Sequence, residues 1–128
     1  RDPEMSRGLG DVYKRQGSNS NYAFANVGKA IEYLCRILED SRSSSVYTTP
    51  SIKKDGSIYT NAVVEGFSDS DYDAVNSLLK KYESDNGRVH DPFSKVEIDL
   101  DIVIAGNEVV REKDYSRDYF TIGFKELL

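Results

Sequence analysis

An α+β fold is predicted by three observations: two runs carry apolar residues at helical spacing, three are rich in β-branched and aromatic residues, and they alternate along the chain as helix, strand, strand, helix, strand. With 128 residues, 38% of them hydrophobic and 30% charged, the chain suits one domain with a modest core and is too apolar to be disordered.

The first helix is predicted over residues 23–39, where Val27, Ala30, Ile31, Leu34, Ile37 and Leu38 repeat at helical spacing with Lys29, Glu32, Arg36 and Glu39 between them. Val46-Tyr47-Thr48-Thr49 then reads as a strand, stopped by Pro50, which brings no ladder donor. Lys53-Lys54-Asp55-Gly56 is a turn signal, and residues 58–67 form a longer strand able to pair antiparallel with the one before. Ser68 or Ser70 is expected to cap a second helix, with Asp69, Asp71 and Asp73 near its positive end, Tyr72, Val75, Leu79 and Tyr82 along one face, and Gly87 as its stop. Over residues 96–104, Val96, Ile98, Leu100, Ile102 and Ile104 share one face, and Glu97, Asp99 and Asp101 fall on the other. Gly106-Asn107-Glu108 turns the chain into a short return strand at Val109-Val110, before a polar tail carrying Phe120, Ile122, Phe124 and Leu127.

This order is a ferredoxin-like βαββαβ sandwich with its native first strand missing or replaced. Residues 1–16 occupy the place where the topology expects that strand, since its absence would leave an unpaired edge inside the sheet, yet they show neither period 2 nor period 3.6 and by their own pattern read as neither strand nor helix. The run from Ser6 to Gln16 resembles a translated sequencing adaptor, which would make residues 1–16 a non-native leader and residues 17–128 the domain; a native disordered terminus is the other reading.

A net charge of −5, from 17 basic against 22 acidic residues, repels a phosphate backbone and argues against nucleic acid as a partner. No apolar run approaches the ~18 residues of a membrane span. The single cysteine, Cys35, has no second thiol to bridge, and a reducing cytoplasm is the expected compartment.

Chemistry is concentrated at Asp99-Leu100-Asp101. Carboxylates at i and i+2 on a strand project the same way, their Cβ atoms roughly 7 Å apart, which suits two oxygen donors around a cation site. Such like charges repel unless cations or water screen them, and Mg²⁺ held by one or two carboxylates plus substrate phosphates is a familiar screen. A polar strand face in water explains the same alternation, and composition leaves both readings open. Arg88, His90 and Lys95 lie in or beside the loop leading to this strand and could meet phosphate, with Arg111 and Arg117 further candidates. Tyr59 and Asn61 share a strand face, offering a ring to stack on and an amide that both donates and accepts. Walker A, GxGxxG and GxSxG patterns are absent.

From Gly17 to Leu128 these pieces resemble, in order and spacing, the 6-hydroxymethyl-7,8-dihydropterin pyrophosphokinase family of folate biosynthesis. The resemblance is carried by Gly17-Ser18-Asn19, by Ser44-Ser45-Val46-Tyr47-Thr48-Thr49-Pro50, by Tyr59-Thr60-Asn61-Ala62-Val63-Val64, by Glu83 with Gly87-Arg88-Val89, and by Ile98-Asp99-Leu100-Asp101-Ile102 followed by Gly106-Asn107-Glu108-Val109-Val110. It implies transfer of pyrophosphate from ATP to the pterin hydroxymethyl oxygen with release of AMP, and two Mg²⁺ ions held by Asp99 and Asp101. It further implies Arg88 among the catalytic groups, a pterin site of Thr49, Pro50, Tyr59, Asn61 and Phe124, and a nucleotide site toward Glu83, Arg88, His90 and Lys95, with Arg111 or Arg117 as substitutes.

The chain departs from that pattern in three places. The family loop before the aspartate strand carries a tryptophan and an arginine, where this chain offers Phe93, Lys95 and Val96; the proline-histidine near the end appears as Asp118-Tyr119; and Ile122 stands where an arginine precedes the glycine-phenylalanine pair. Two other functions accordingly stand beside the kinase: a non-catalytic relative that keeps a pterin or nucleotide pocket, and a ferredoxin-like module that binds a small molecule without using the aspartates.

Overall fold

A computed structural model describes residues 5–13, 20–50, 58–86, 97–106 and 108–128. Its elements are β1 (Met5–Tyr13), α1 (Ser20–Ile37), β2 (Glu39–Ser43), β3 (Tyr47–Pro50), β4 (Ile58–Phe67), α2 (Tyr72–Asn86), β5 (Glu97–Ala105), β6 (Glu108–Val109), α3 (Glu112–Tyr115) and α4 (Asp118–Leu127). The sheet runs β2-β4-β1-β5-β6, with β3 also paired to β4, and every described pairing is antiparallel. The architecture is α+β and ferredoxin-like.

The pattern-based reading of residues 1–16 as neither strand nor helix is overturned and the strand expected from topology is present, because Met5–Tyr13 runs the length of β4 on one side and most of β5 on the other. Two facing rows of backbone N–H and C=O groups require a strand between them. The segment meets that requirement without a hydrophobic pattern, since backbone pairing asks only for a stretch free of proline.

Strand β4 is covered on both faces. Ala62 and Val64 join Val27, Ala30, Leu34 and Leu38 of α1, Val75 and Leu79 of α2, and Ile98, Leu100 and Ile102 of β5 in one buried cluster. Val63 points the other way, into a smaller cluster with Val103, Phe120 and Leu127. The sheet is therefore the middle of three layers, with α1 and α2 on one side and α4 on the other.

Two edges depart from simple alternation. In β5, Ser6 pairs with Ile104 and Arg7 with Ile102, so Val103 is an extra residue in a bulge. The bulge rephases the strand: Ile104, predicted to lie with Ile98, Leu100 and Ile102, packs instead on the α4 side beside Val103. At the opposite edge, β2 forms where the sequence pattern predicts no strand. It meets β4 through Arg42↔Glu65 and Ser43↔Val64, after an irregularity where Asp40 takes φ 50. Between β2 and β3, Ser44 completes the ladder alone: its N–H donates to Val63 O at 2.8 Å and its Oγ accepts from Val63 N at 2.9 Å.

The cap of α2 is neither Ser68 nor Ser70 but Asp71, whose Oδ1 accepts from Ala74 N at 2.9 Å; Ser68 Oγ instead accepts from Ser70 N in the preceding turn. Tyr72, expected on the buried face, is 38% exposed at the helix's first residue, while Val75 and Leu79 are buried and Tyr82 stacks on Tyr33 of α1.

The predicted polar tail is helical. α4 buries Phe120, Gly123 and Leu127 and leaves Ile122 outward. Gly123 permits the close approach, because a Cβ there would lie 2.6 Å from Val63 Cγ2, 2.9 Å from the Tyr47 hydroxyl and 3.0 Å from Ser44 Oγ. Polar ties surround this contact: Tyr47 OH donates to Tyr119 O at 2.5 Å, Arg42 Nη2 to Leu127 O at 2.8 Å, and Ser45 N and Oγ both donate to the Glu126 carboxylate at 2.8 Å.

Gly123→Ala is expected to destabilise the protein by about 1–3 kcal/mol through overpacking, measured by urea unfolding; an unchanged midpoint would mean that α4 does not press on Val63 as described. Burial, opposed by a hydrogen bond from Gly123 and aided by the charge of Glu126, raises the Tyr47 hydroxyl from 10.0 to about 12. A phenol whose folded value lies above its unfolded one contributes stability that is complete below pH 10 and is lost as pH rises toward 12. The stability gap between wild type and Tyr47→Phe should therefore narrow across that interval, and parallel pH profiles would refute it.

Candidate active site

The α4 side of the sheet holds most of the predicted binding residues that are among the described ones. Asn61 and Val63 are neighbours on that face of β4, as are Asp99, Asp101 and Val103 on β5, because both Val63 and Val103 enter the α4 cluster. Register fixes their rows: Gly10 of β1 pairs with Asn61 on one side and Asp99 on the other, and Gly8 pairs with Val63 and Asp101. Asn61 and Asp99 thus stand two strand spacings apart, about 10 Å. The strand between them contributes glycine, which has no side chain, to both rows.

The amide of Asn61 is buried, at 2% exposure, and directed: Nδ2 donates to Thr49 Oγ1 at 3.0 Å and lies 3.3 Å from Tyr59 O. Thr49 is buried beside it, Tyr59 is half-buried, and Pro50 is exposed at the end of β3, opposite Ile58. Phe124 stacks on Phe120 with centroids 5.2 Å apart and meets Tyr115 at 5.9 Å, so an aromatic group from α3 and α4 closes this side. The structure therefore joins Thr49 and Asn61 directly and anchors Phe124 one residue beyond the Gly123–Val63 contact.

Asp99 is exposed, and the Asp101 side chain is 26% exposed. Asp101 is held by two cations from different elements. Lys80 of α2 reaches around the edge of β5, placing Nζ 3.1 Å from Asp101 Oδ1, 3.1 Å from Leu100 O and 3.1 Å from Glu83 Oε1. Arg111, between β6 and α3, brings Nη1 to 3.7 Å from the same Asp101 oxygen while its Nε donates to Asp114. Asp114 also accepts from the Tyr119 hydroxyl, so α4 is linked through Asp114 and Arg111 to the aspartate. Burial pulls the Lys80 ammonium down, but the charges and hydrogen bonds of Asp101 and Glu83 outweigh it and leave its affinity for the proton raised. Burial and then the bond to Asp114 push the Tyr119 hydroxyl up.

Glu83, predicted near the nucleotide, accepts the backbone N–H of Leu100 and pairs with Lys80. Among the described residues β6 pairs only with Ile104 and Ala105, so Leu100 has no strand on that side. Glu83 and Lys80 serve its N–H and C=O in place of one. Arg117 is exposed just ahead of α4, where its charge acts on Tyr119. Arg88, His90 and Lys95, with Phe93 and Gly17-Ser18-Asn19, lie outside the described residues. Lys80 and Asp114 are missed by sequence reasoning, and Ser44 is named only as part of the serine-serine motif, without its role; the i,i+3 spacing of Lys80 and Glu83 on a helix is the one signal for Lys80.

The donor set fits Mg²⁺: two carboxylates on one face, hard oxygen ligands, open to solvent on the Asp99 side. Among the described residues no group of three His, Cys, Asp or Glu side chains could hold a metal by itself; phosphate and water oxygens are ligands that Mg²⁺ ordinarily adds to one or two carboxylates.

Glu83→Ala leaves the Leu100 N–H without its acceptor and is expected to cost about 1–3 kcal/mol, whereas Glu83→Gln keeps an acceptor and should cost less than half as much. Urea unfolding together with amide exchange at Leu100 checks this, and unaltered exchange in Glu83→Ala would show that the edge is served otherwise.

Among the described residues no helix is long and apolar enough to cross a membrane. No curated protein matches the chain significantly. Residues 15–128 match the family described as 7,8-dihydro-6-hydroxymethylpterin-pyrophosphokinase (HPPK). That match takes in the strand with Asp99 and Asp101, the Asn61–Thr49 pair and the α4 aromatics, and the chain belongs to the HPPK family.

Proposed function

We propose that this chain transfers pyrophosphate from ATP to 6-hydroxymethyl-7,8-dihydropterin, with Mg²⁺ ions held by Asp99 and Asp101, as a cytoplasmic enzyme of folate synthesis. The observation that carries the reading is the row Asn61–Gly10–Asp99, which sets a buried, oriented amide and a carboxylate on one face at a separation suited to a flat heterocycle and its reacting substituent. Family membership supplies the reaction class.

The residues have distinct tasks in this reading. Asn61, fixed by Thr49, would address the polar edge of the pterin, while Tyr59 and Phe124 would bound its plane and Pro50 line its margin. The hydroxymethyl oxygen forms a bond to the β-phosphorus as the bond between that phosphorus and the α-phosphate oxygen breaks; AMP departs with that oxygen, and the hydroxyl proton goes to solvent. When bound, Mg²⁺ neutralises the triphosphate and stabilises charge on the departing AMP. Asp99 and Asp101 would hold two such ions, and Arg111, 3.7 Å from Asp101 Oδ1, would offset phosphate charge there. Arg88, His90, Lys95, Arg117 and Glu83 would complete the proposed nucleotide contacts.

Calorimetry with a nonhydrolysable ATP analogue, Mg²⁺ and the pterin, followed by an AMP assay with ATP, tests the proposal. Ternary binding and AMP release are expected, with Asp99→Ala and Asp101→Ala each lowering turnover by about 100-fold or more. Pterin binding without magnesium-dependent nucleotide binding would overturn it in favour of a non-catalytic relative, and unchanged ligand affinity in both aspartate variants would indicate a small-molecule module.

A further inference from the structure

Lys80 does more than serve the edge of β5. Its ammonium and Arg111 converge on one oxygen, Asp101 Oδ1, at 3.1 and 3.7 Å. A magnesium ion takes carboxylate oxygen at about 2.0–2.1 Å, so an ion on that oxygen and the ammonium would crowd the same lone-pair region and repel each other. Lys80 also has two further partners, Leu100 O and Glu83 Oε1, each at 3.1 Å. Releasing Asp101 therefore leaves the ammonium bonded and paired, and costs it one contact of three.

We propose that Lys80 is a positioning residue which acts as a built-in counter-cation for Asp101, lowering the affinity of the acidic pair for a divalent ion in the nucleotide-free protein and yielding Asp101 when the ion arrives with a triphosphate. The proposal rests on the reading of Asp99 and Asp101 as the ion-holding pair. The ammonium relieves repulsion between the two carboxylates before any ligand binds. It also makes bare-ion loading unfavourable, whereas triphosphate charge offsets the ammonium and removes that penalty. Metal binding is thereby coupled to nucleotide binding by a charge that belongs to neither site.

The test is Mn²⁺ binding to the full chain, followed by electron paramagnetic resonance with and without a nonhydrolysable ATP analogue. Lys80→Gln removes the charge while retaining a hydrogen-bonding amide, and should bind bare Mn²⁺ about three- to tenfold more tightly than wild type, with a smaller gain on adding nucleotide. Lys80→Arg restores the charge and should return both values toward wild type, a rescue that a merely structural role would not produce in metal affinity. Near-UV circular dichroism of each variant establishes that a folded protein is compared. Equal or weaker bare-ion affinity in folded Lys80→Gln overturns the counter-cation role. If Asp101→Asn abolishes Mn²⁺ binding in that same case, the acidic pair survives as the metal site and Lys80 alone is misassigned; if Asp101→Asn binds as wild type does, the underlying functional reading falls as well.

Discussion

An acidic pair on an incompletely paired strand is the constraint around which this site is built. From Leu100 toward its start, β5 has β1 on one side and, among the described residues, no strand on the other. Its outward N–H and C=O at Leu100 must still be satisfied, and two carboxylates flanking that residue add repulsion. A side-chain pair resolves both problems: Glu83 takes the N–H, and Lys80 takes the C=O and the neighbouring Asp101. A neighbouring strand would serve the same backbone groups, but it would also cover the edge beside which Asp101 is presented. Using α2 for the purpose satisfies these groups where the described residues supply no strand, and it blocks the strand addition that an open edge otherwise invites.

The other side of the site depends on how closely α4 can come to the sheet. With a glycine at position 123 the helix backbone settles against Val63, and Phe120 and Leu127 on either side of it become buried. This places Phe124 in its aromatic stack and Tyr119 against Asp114, from which Arg111 extends to Asp101. Helix docking and the electrostatics of Asp101 are consequently one structure: the α4 contact that shapes the aromatic wall also orients one of the two cations at the carboxylate. Ser44 contributes from the opposite edge by completing the β4 ladder at Val63, the residue on which α4 rests.

Much of the architecture was legible because each principal element announces one period. Val27, Ala30, Leu34 and Leu38 are spaced for a helix and are buried as one, and Ile98, Leu100 and Ile102 alternate and are buried together. The misses share a physical cause, in that what decided them leaves no hydrophobic trace. In α4 the inward positions are 120, 123, 124 and 127, a helical spacing, but glycine at 123 silences the signal and Ile122, which points outward, suggests alternation instead. The bulge at Val103 changes the face of Ile104 without changing composition. Strand β1 is held by backbone pairing that any proline-free segment can supply, so its apolar pattern carried no information. The aspartates themselves were visible from spacing, whereas Lys80 was not, because its role exists only once topology leaves Leu100 at an edge.

These observations bear on how a site of like charges coexists with a stable fold. Asp99 and Asp101 project from one face, and without compensation their repulsion would be paid by the strand that carries them. Lys80 and Arg111 supply positive charge from elements on different sides of the strand, each also committed elsewhere, Lys80 to Leu100 and Glu83 and Arg111 to Asp114. Cations with a second commitment are held beside the carboxylate by the chain itself, so part of the repulsion of the acidic pair is offset by protein groups. The same commitment limits their mobility, and any ion entering must compete with charges already in place. In the proposed reading, the charge balance of the acidic pair and the strength of metal binding would therefore be opposed through a single oxygen of Asp101, and a triphosphate, by adding negative charge beside both cations, would shift that balance toward the loaded state.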